Sequence, residues 1–379
     1  MGFHSYETPY DWSRIAGYKK TAAAAPGGMV DLSVGSPVDP VPACVRAALA
    51  EAAAAPNAHG YPATAGTPDL RAAIAEWFRA RRGVDLAAIG ADLVPTVGSK
   101  EGVALMASLL HLGPGDVVVQ PRVSYPTYEI GTQLAGATVL KVDDVTDVDS
   151  WVGVPGVKAV WVNSPCNPTG QVLGADALAR VVAAARGIGA TVLSDECYAL
   201  MTYAADSVEP APAAPCALDA EVCAGSADGV LALYSLSKQS NLAGYRTAFV
   251  AGDRALIAEM TEYRKQIGQI IPGPVQAAMA VALRDEASVR EQWARYHARL
   301  VTLVDALRAH GYDAVMPDGA LYVWVPARSG DCWTDMEALA HVGIIPSPGE
   351  FYGAPGYLRF SATATDEAIA SAAERLRAA

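Results

Sequence analysis

Lys238 closes the run LALYSLSK, where an apolar alternation gives way to hydroxyls, and Arg246 follows eight residues later in NLAGYRTAF. A lysine amine held at a strand end and partly withdrawn from water has a lowered pKa, and the neutral amine can attack an aldehyde. An ordinary solvated loop lysine is the plainer alternative. Four other short stretches carry groups of the same kind. VGSKEG, residues 97–102, turns into a helix whose first N–H groups and Lys100 suit an anion such as phosphate, although Gly-Ser is also a common helix start. SYPTY, residues 124–128, presents Tyr125, whose ring can stack on a flat ligand or pack in a core. NSPCNPTG, residues 163–170, sets the amide of Asn167 where it can donate to a phenolate oxygen or simply shape a turn. LSDECY, residues 193–198, ends an apolar run on Asp195 and carries Tyr198 three residues on. A buried acid there needs a cation, such as a protonated ring nitrogen, whereas an exposed one would read as a helix cap.

These stretches fall at the ends of β-rich runs. Residues 117–120, 159–163, 191–195, 230–235 and 247–251 read as strands, and they alternate with helical patterns such as 99–112 and 175–186, the second closed by Gly187 as a C-cap. That alternation predicts an α/β fold with a largely parallel sheet, whose ligands sit beyond the carboxyl ends of the strands. Past Pro274 the pattern changes to long helices, clearest at 288–310, and then to short strands at 321–325 and 358–361. The expected division is a large domain at 43–285 and a smaller α+β domain of 1–42 with 286–379, linked through the proline-rich DLSVGSPVDPVP.

Composition removes several function classes. The net charge of −12 comes without basic runs, so there is no electrostatic footprint for nucleic acid. No apolar stretch approaches a membrane span. MGFHSYETPY lacks a secretory pattern, and Tyr6 stands where N-myristoylation needs Ser or Thr. The cytoplasm is the expected setting. Cys44, Cys166, Cys197, Cys216, Cys223 and Cys332 form no C-x-x-C pair and the histidines no H-E-x-x-H, so reduced thiols and no metal site are expected. The one glycine pair resembling a dinucleotide turn, Gly187-Ile188-Gly189-Ala190, precedes a strand instead of following one, which disfavours a nicotinamide dehydrogenase.

An anion cradle, a stacking aromatic, an amide for a phenolate, an acid for a pyridinium and a reactive lysine together match the functional groups of pyridoxal phosphate. On the strings NPTG, D-x-x-Y and S-x-S-K followed by Gly and Arg, the chain resembles the fold-type I, class I/II pyridoxal-phosphate aminotransferases over nearly its full length. The resemblance implies a large mixed, mostly parallel sheet domain and a smaller α+β domain. It makes Lys238 the cofactor-linked lysine and proton shuttle, pairs Asp195 with the pyridinium, and sets Asn167 and Tyr198 on the ring oxygen and Tyr125 on the ring face. Gly98, Ser99, Lys100, Ser235 and Arg246 would hold the phosphate with help from Ser237. Tyr61, in HGYPATAGTPDLR, matches a tyrosine that reaches the phosphate from the neighbouring subunit, which implies a homodimer with shared sites. Arg359, in YLRFSAT, matches the arginine that grips the substrate α-carboxylate by a two-pronged contact, with Asn167 and Gly35 beside it, and implies domain closure on the substrate.

Within the family, DLSVGSPVDPVP, GYPATAGTPDLR, SDECYAL, SLSKQSNLAGYR, IPGPVQAAM and PGEFYG look closest to actinobacterial N-succinyldiaminopimelate aminotransferases of lysine and diaminopimelate synthesis. An aminotransferase of aspartate or of broad range, and a lyase cleaving C–S bonds, are the alternatives. Aspartate-specific relatives carry an arginine before the IPGP segment, where this chain reads Gln266-Ile267-Gly268-Gln269-Ile270-Ile271 and Arg264 falls slightly early. Arg122 and Lys100 are candidates, by location alone, for the far carboxylates of a succinylated substrate.

Overall fold

Seven strands rich in Val, Leu and Ala form the centre of the molecule in the computed structural model, which describes residues 10–204 and 209–379. The stretch 1–9, read above against signal and acylation patterns, lies outside the described residues. A two-residue β1 (Val30–Asp31) precedes the central strands. These are β2 (Ala91–Val97), β3 (Val117–Pro121), β4 (Thr138–Val142), β5 (Val157–Asn163), β6 (Thr191–Asp195), β7 (Val230–Ser235) and β8 (Thr247–Asp253). They lie in the order β2-β8-β7-β6-β5-β3-β4, and β8 alone runs against the others.

The sheet is covered on both faces, which is why its inner strands read as unbroken apolar runs. Within β5 the side chains still part by alternation. Val160 and Val162 pack into one core with Leu178 and Val181 of the helix Ala175–Gly187. Ala159 and Trp161 pack into another with Val103 and Met106 of the helix Ser99–Leu109.

Direction matters for the site. The carboxyl ends of β2, β3, β5, β6 and β7 lie along one edge, and the reversed β8 begins on that edge, its Thr247 level with Val97 and its Ala248 level with Ser235. Residues just after the parallel strands and just before β8 are thereby gathered together.

The last strands are β9 (Tyr322–Pro326), β10 (Ile344–Ile345), β11 (Ser347–Pro348) and β12 (Tyr357–Ser361). β11, β12 and β9 form a small antiparallel sheet, and β10 pairs with β1. A further core joins these strands to the helix Glu286–Ala309 through Leu300, Leu303, Val323, Val325, Leu358 and Phe360. Tyr198 and Met201, from the segment after β6, pack into the same core. The strip 33–42 is fixed between the two regions. Asp39 accepts from both terminal nitrogens of Arg299 at 2.8 and 2.7 Å and from Gln292 Nε2 at 2.8 Å.

The helix expected at 99–112 stops at Leu109, because His111 takes a left-handed φ of 56°. Gly187 remains inside its helix, and the left-handed turn falls instead on Gly189 at φ 70°. β5 begins two residues earlier than expected and β8 ends two later. No helix among the described residues is long and apolar enough to cross a membrane.

Candidate functional site

The strand ends surround a cavity of about 300 Å³, floored by the central sheet and walled by β9, β12 and the strip around Gly35. Lys238 sits in a short helix, Leu236–Gln239, directly after β7. Ser235 starts that helix, its Oγ accepting from the Ser237 N–H at 3.1 Å and donating to Ser237 Oγ at 2.9 Å. The Lys238 amine donates to the Gly35 carbonyl. Burial pushes the pKa of Lys238 down; Tyr322 opposes this and Arg359 adds to it. A larger neutral fraction is what a nucleophilic amine requires.

Asp195, the last residue of β6, is 6% exposed. Tyr128 Oη donates to its Oδ2 at 2.7 Å and the Cys197 N–H to its Oδ1 at 3.1 Å. Burial raises its pKa against those hydrogen bonds. Among the described residues it has no basic ion-pair partner, so the cavity offers an acid waiting for a cation.

Behind β2, Gly98 turns at φ 78°, and a Cβ there would run into the guanidinium of Arg246. Only glycine lets that cation approach the first turn of the helix Ser99–Leu109. Arg246 itself takes a left-handed φ of 58° just ahead of β8 and donates to the Ala243 carbonyl at 2.6 Å. Ser99, Lys100, Ser235 and Ser237 line the same end of the cavity, which brings two cations, hydroxyls and a helix N-terminus to one place.

On the opposite wall Arg359, from β12, is 4% exposed. Its Nη1 donates to Asn167 Oδ1 and its Nη2 to the Ser33 carbonyl, both at 2.8 Å. Its Nε has no partner, and no carboxylate among the described residues pairs with it. Asn167 is held by Asn163, whose Oδ1 accepts its N–H at 2.8 Å, and with its own Oδ1 on Arg359 its Nδ2 remains to donate. Tyr198 Oη lies 2.8 Å from Tyr322 Oη. Tyr125 also lines the cavity, its ring edge-on to Tyr128.

Of the residues that the resemblance assigns to the cofactor or the substrate α-carboxylate, all but two line the cavity. Gly98 stands just behind it, under Arg246, and Tyr61 is fully exposed and apart from it. Sequence reasoning missed Tyr10, Trp12, Tyr322 and Tyr352 on the walls, and Tyr128 behind Asp195. Of the cations suggested for the far carboxylates, Lys100 lines the cavity and Arg122 does not, and Arg264, set aside as falling early, is engaged elsewhere. Arg122 pairs with Asp143 on the surface at 2.6 Å. Arg264 is 1% exposed, and both of its terminal nitrogens donate to Glu101 at 2.9 Å.

The residues fit pyridoxal phosphate on three independent observations. The anion end is a cradle that a Cβ at position 98 would fill. The acid end holds a buried carboxylate without a cation, and the lysine lining the same cavity has a lowered pKa.

Comparison with known proteins agrees. The family described as aminotransferase class I and II matches residues 27–376. The chain is 45% identical to the 4-dedimethylamino-4-oxo-anhydrotetracycline transaminase OxyQ of Streptomyces rimosus, over 97% of this chain and 98% of that one. It is 44% identical to a probable aminotransferase of Mycobacterium tuberculosis, over 97% of this chain and 84% of the relative. Among solved structures, a probable N-succinyldiaminopimelate aminotransferase from Thermus thermophilus superposes with a TM-score of 0.84 at 26% identity, covering 97% of this chain and 99% of that one.

Proposed function

The chain belongs to the class I and II aminotransferases, which use pyridoxal 5'-phosphate, and from that premise we propose that it transfers an amino group between N-succinyl-LL-2,6-diaminopimelate and 2-oxoglutarate. The products are N-succinyl-2-amino-6-oxopimelate and glutamate, and the reaction serves cytoplasmic lysine and diaminopimelate synthesis. The observation that carries the transaminase reading is the buried Arg359 guanidinium, without a carboxylate of its own, in the same cavity as Lys238. The succinylated substrate is supported by the sequence strings, by the name of the Thermus relative, and by the engagement of Arg264 with Glu101, which removes a distal partner for a small dicarboxylate.

When bound, the cofactor supplies an aldehyde that exchanges between amines and a pyridine ring that draws electrons from the substrate Cα–H bond. Asp195 keeps a proton on the ring nitrogen by a charge-assisted contact. Asn167 Nδ2 and Tyr198 Oη donate to the ring oxygen, and Tyr125 covers the ring face. Gly98, Ser99, Lys100, Ser235 and Arg246 hold the phosphate, with Ser237 ordering Ser235. Arg359 grips the substrate α-carboxylate beside Gly35. Lys238 Nζ takes the proton from the substrate Cα, and general acid–base help of this kind is typically worth about 10² to 10⁴ in rate. The active unit is a homodimer in which Tyr61 of each subunit reaches the phosphate held by the other. The molecule divides at 42/43 and 285/286 into a large and a small domain, and the small one closes over the substrate.

A second substrate class is favoured by one observation. Tyr10 and Trp12 line the cavity and pack edge-on against Phe351 and each other, at centroid distances of 5.3 to 5.7 Å. Such a wall suits a flat, ring-bearing amine or ketone, and the Streptomyces rimosus relative has an oxo-anhydrotetracycline in its name.

One assay separates the readings. The holoenzyme is mixed separately with N-succinyl-LL-diaminopimelate, glutamate, aspartate and an aromatic amino acid, and loss of the visible cofactor absorbance is followed. Rapid bleaching by the succinylated compound and glutamate, with aspartate slow, is expected. Rapid bleaching by the aromatic compound and none by the succinylated one replaces the substrate and keeps the chemistry.

A further inference from the structure

Tyr322 enters the cavity from β9 and is 2% exposed, and three of the groups assigned above touch it. Its hydroxyl lies 2.8 Å from that of Tyr198. Its ring lies beneath Arg359, 4.0 Å from centroid to Cζ, while the Tyr352 ring is 4.7 Å from the same carbon. It also fills the space beside Gly35, where a Cβ would strike its hydroxyl. The carbonyl of Gly35 in turn accepts from Lys238 Nζ.

A hydroxyl has one proton to give and lone pairs to accept with. Once Tyr198 gives its proton to an oxygen in the cavity, it can only accept from Tyr322. The two tyrosines then form a chain in which the first bond polarises the second and makes Tyr198 a stronger donor. The ring of Tyr322 acts separately, since its π face attracts the guanidinium and leaves the in-plane N–H groups of Arg359 directed edgewise.

We propose that Tyr322 is a positioning residue for both halves of the site: its hydroxyl strengthens Tyr198 as donor to the cofactor ring oxygen, and its ring holds Arg359 flat for the substrate carboxylate. This rests on the roles given above to Tyr198 and Arg359. The charged and titratable groups around the pair come from several elements: Arg359 from β12, Cys197 from the segment after β6, Lys238 and Arg246 from either side of the β7–β8 connection, and Tyr352 and Tyr125 from the walls. All are retained in the variants below.

The test uses holoenzyme of the wild type, Tyr322→Phe and Tyr322→Leu. The visible cofactor absorbance is titrated with pH in the absence of substrate, and kcat and KM are measured with glutamate. Losing the hydroxyl weakens Tyr198 as a donor to the anionic ring oxygen, so the protonated form of the cofactor–lysine chromophore persists to higher pH. The Phe variant is expected to move the titration midpoint up by about 0.5 to 1 pH unit with KM unchanged. The Leu variant should show the same shift and a KM raised on the order of 3- to 10-fold. A Phe variant that titrates with the wild type overturns the hydroxyl role, and a Leu variant with unchanged KM overturns the ring role. Equal losses of melting temperature and kcat in both variants, with no such split, reduce Tyr322 to packing and overturn the proposal. A wild type with no pH-dependent visible absorbance overturns the reading of Lys238 itself, and the inference with it.

Discussion

At the scale of single residues, the site is a set of groups left electrically incomplete. Asp195 and Arg359 are buried and Lys238 is half-buried, yet none of them closes an ion pair with the others or with any described neighbour. Uncompensated charges of this kind persist where a ligand completes them. Lys238→Ala is expected to fold with an unchanged circular dichroism spectrum and to lose at least about 10²-fold in single-turnover rate. Near-normal turnover would remove the lysine from the mechanism. Asp195→Asn keeps one carbonyl oxygen for Tyr128 and discards the charge together with the oxygen that accepts from the Cys197 N–H. It should therefore weaken pyridoxal phosphate binding by about 10- to 100-fold, measured by equilibrium dialysis, with little change in the melting temperature of the apoprotein. Unaltered cofactor affinity would show that the acid has another partner.

Elements explain why part of this was legible in the chain and part was not. β6 and β7 fall at their expected bounds because their apolar runs end abruptly in Asp195 and in the Ser235 hydroxyl. β4, TVLKV, escaped notice because it lies at the sheet edge, with four of its five residues only partly buried or exposed, and lacks an apolar signature. The strand-end loops carry recognisable strings, so Asn167, Asp195 and Lys238 could be identified from order alone. Tyr322 could not. It opens an apolar strand, YVWVP, that reads as core, and its partner Tyr198 is 124 residues away in the chain. The cradle was legible in type but not in its reason. The glycine at 98 looked like a helix start, whereas its Cα is the surface on which Arg246 rests. Gly98→Ala combines a side chain at φ 78° with a clash against that guanidinium, so cofactor affinity should fall by about 10-fold or more while the fold survives. A variant that binds pyridoxal phosphate as the wild type does would place the phosphate elsewhere.

For the whole molecule, the remaining question is how Tyr61 relates to a cavity it does not reach. Its side chain is fully exposed, and Ile267 and Tyr263 are also open at 53% and 45%, apolar area that a second subunit would cover. If each site borrows Tyr61 from the partner, defects at Tyr61 and at Lys238 lie in different subunits of the same site. Homodimers of Tyr61→Ala lack the hydroxyl in both sites and should bind the cofactor about 10- to 100-fold more weakly. Homodimers of Lys238→Ala should be inactive. A hybrid of the two subunits concentrates both lesions in one site and leaves the other intact, because the Tyr61→Ala subunit contributes its own Lys238 while its partner contributes Tyr61. Mixing the variants, after dissociation and reassociation, should therefore restore activity above the sum of the separate preparations at limiting cofactor. If Tyr61 instead served its own subunit, every hybrid site would carry one lesion and mixing would restore nothing. The same result in a protein that sediments as a monomer would remove the shared site altogether.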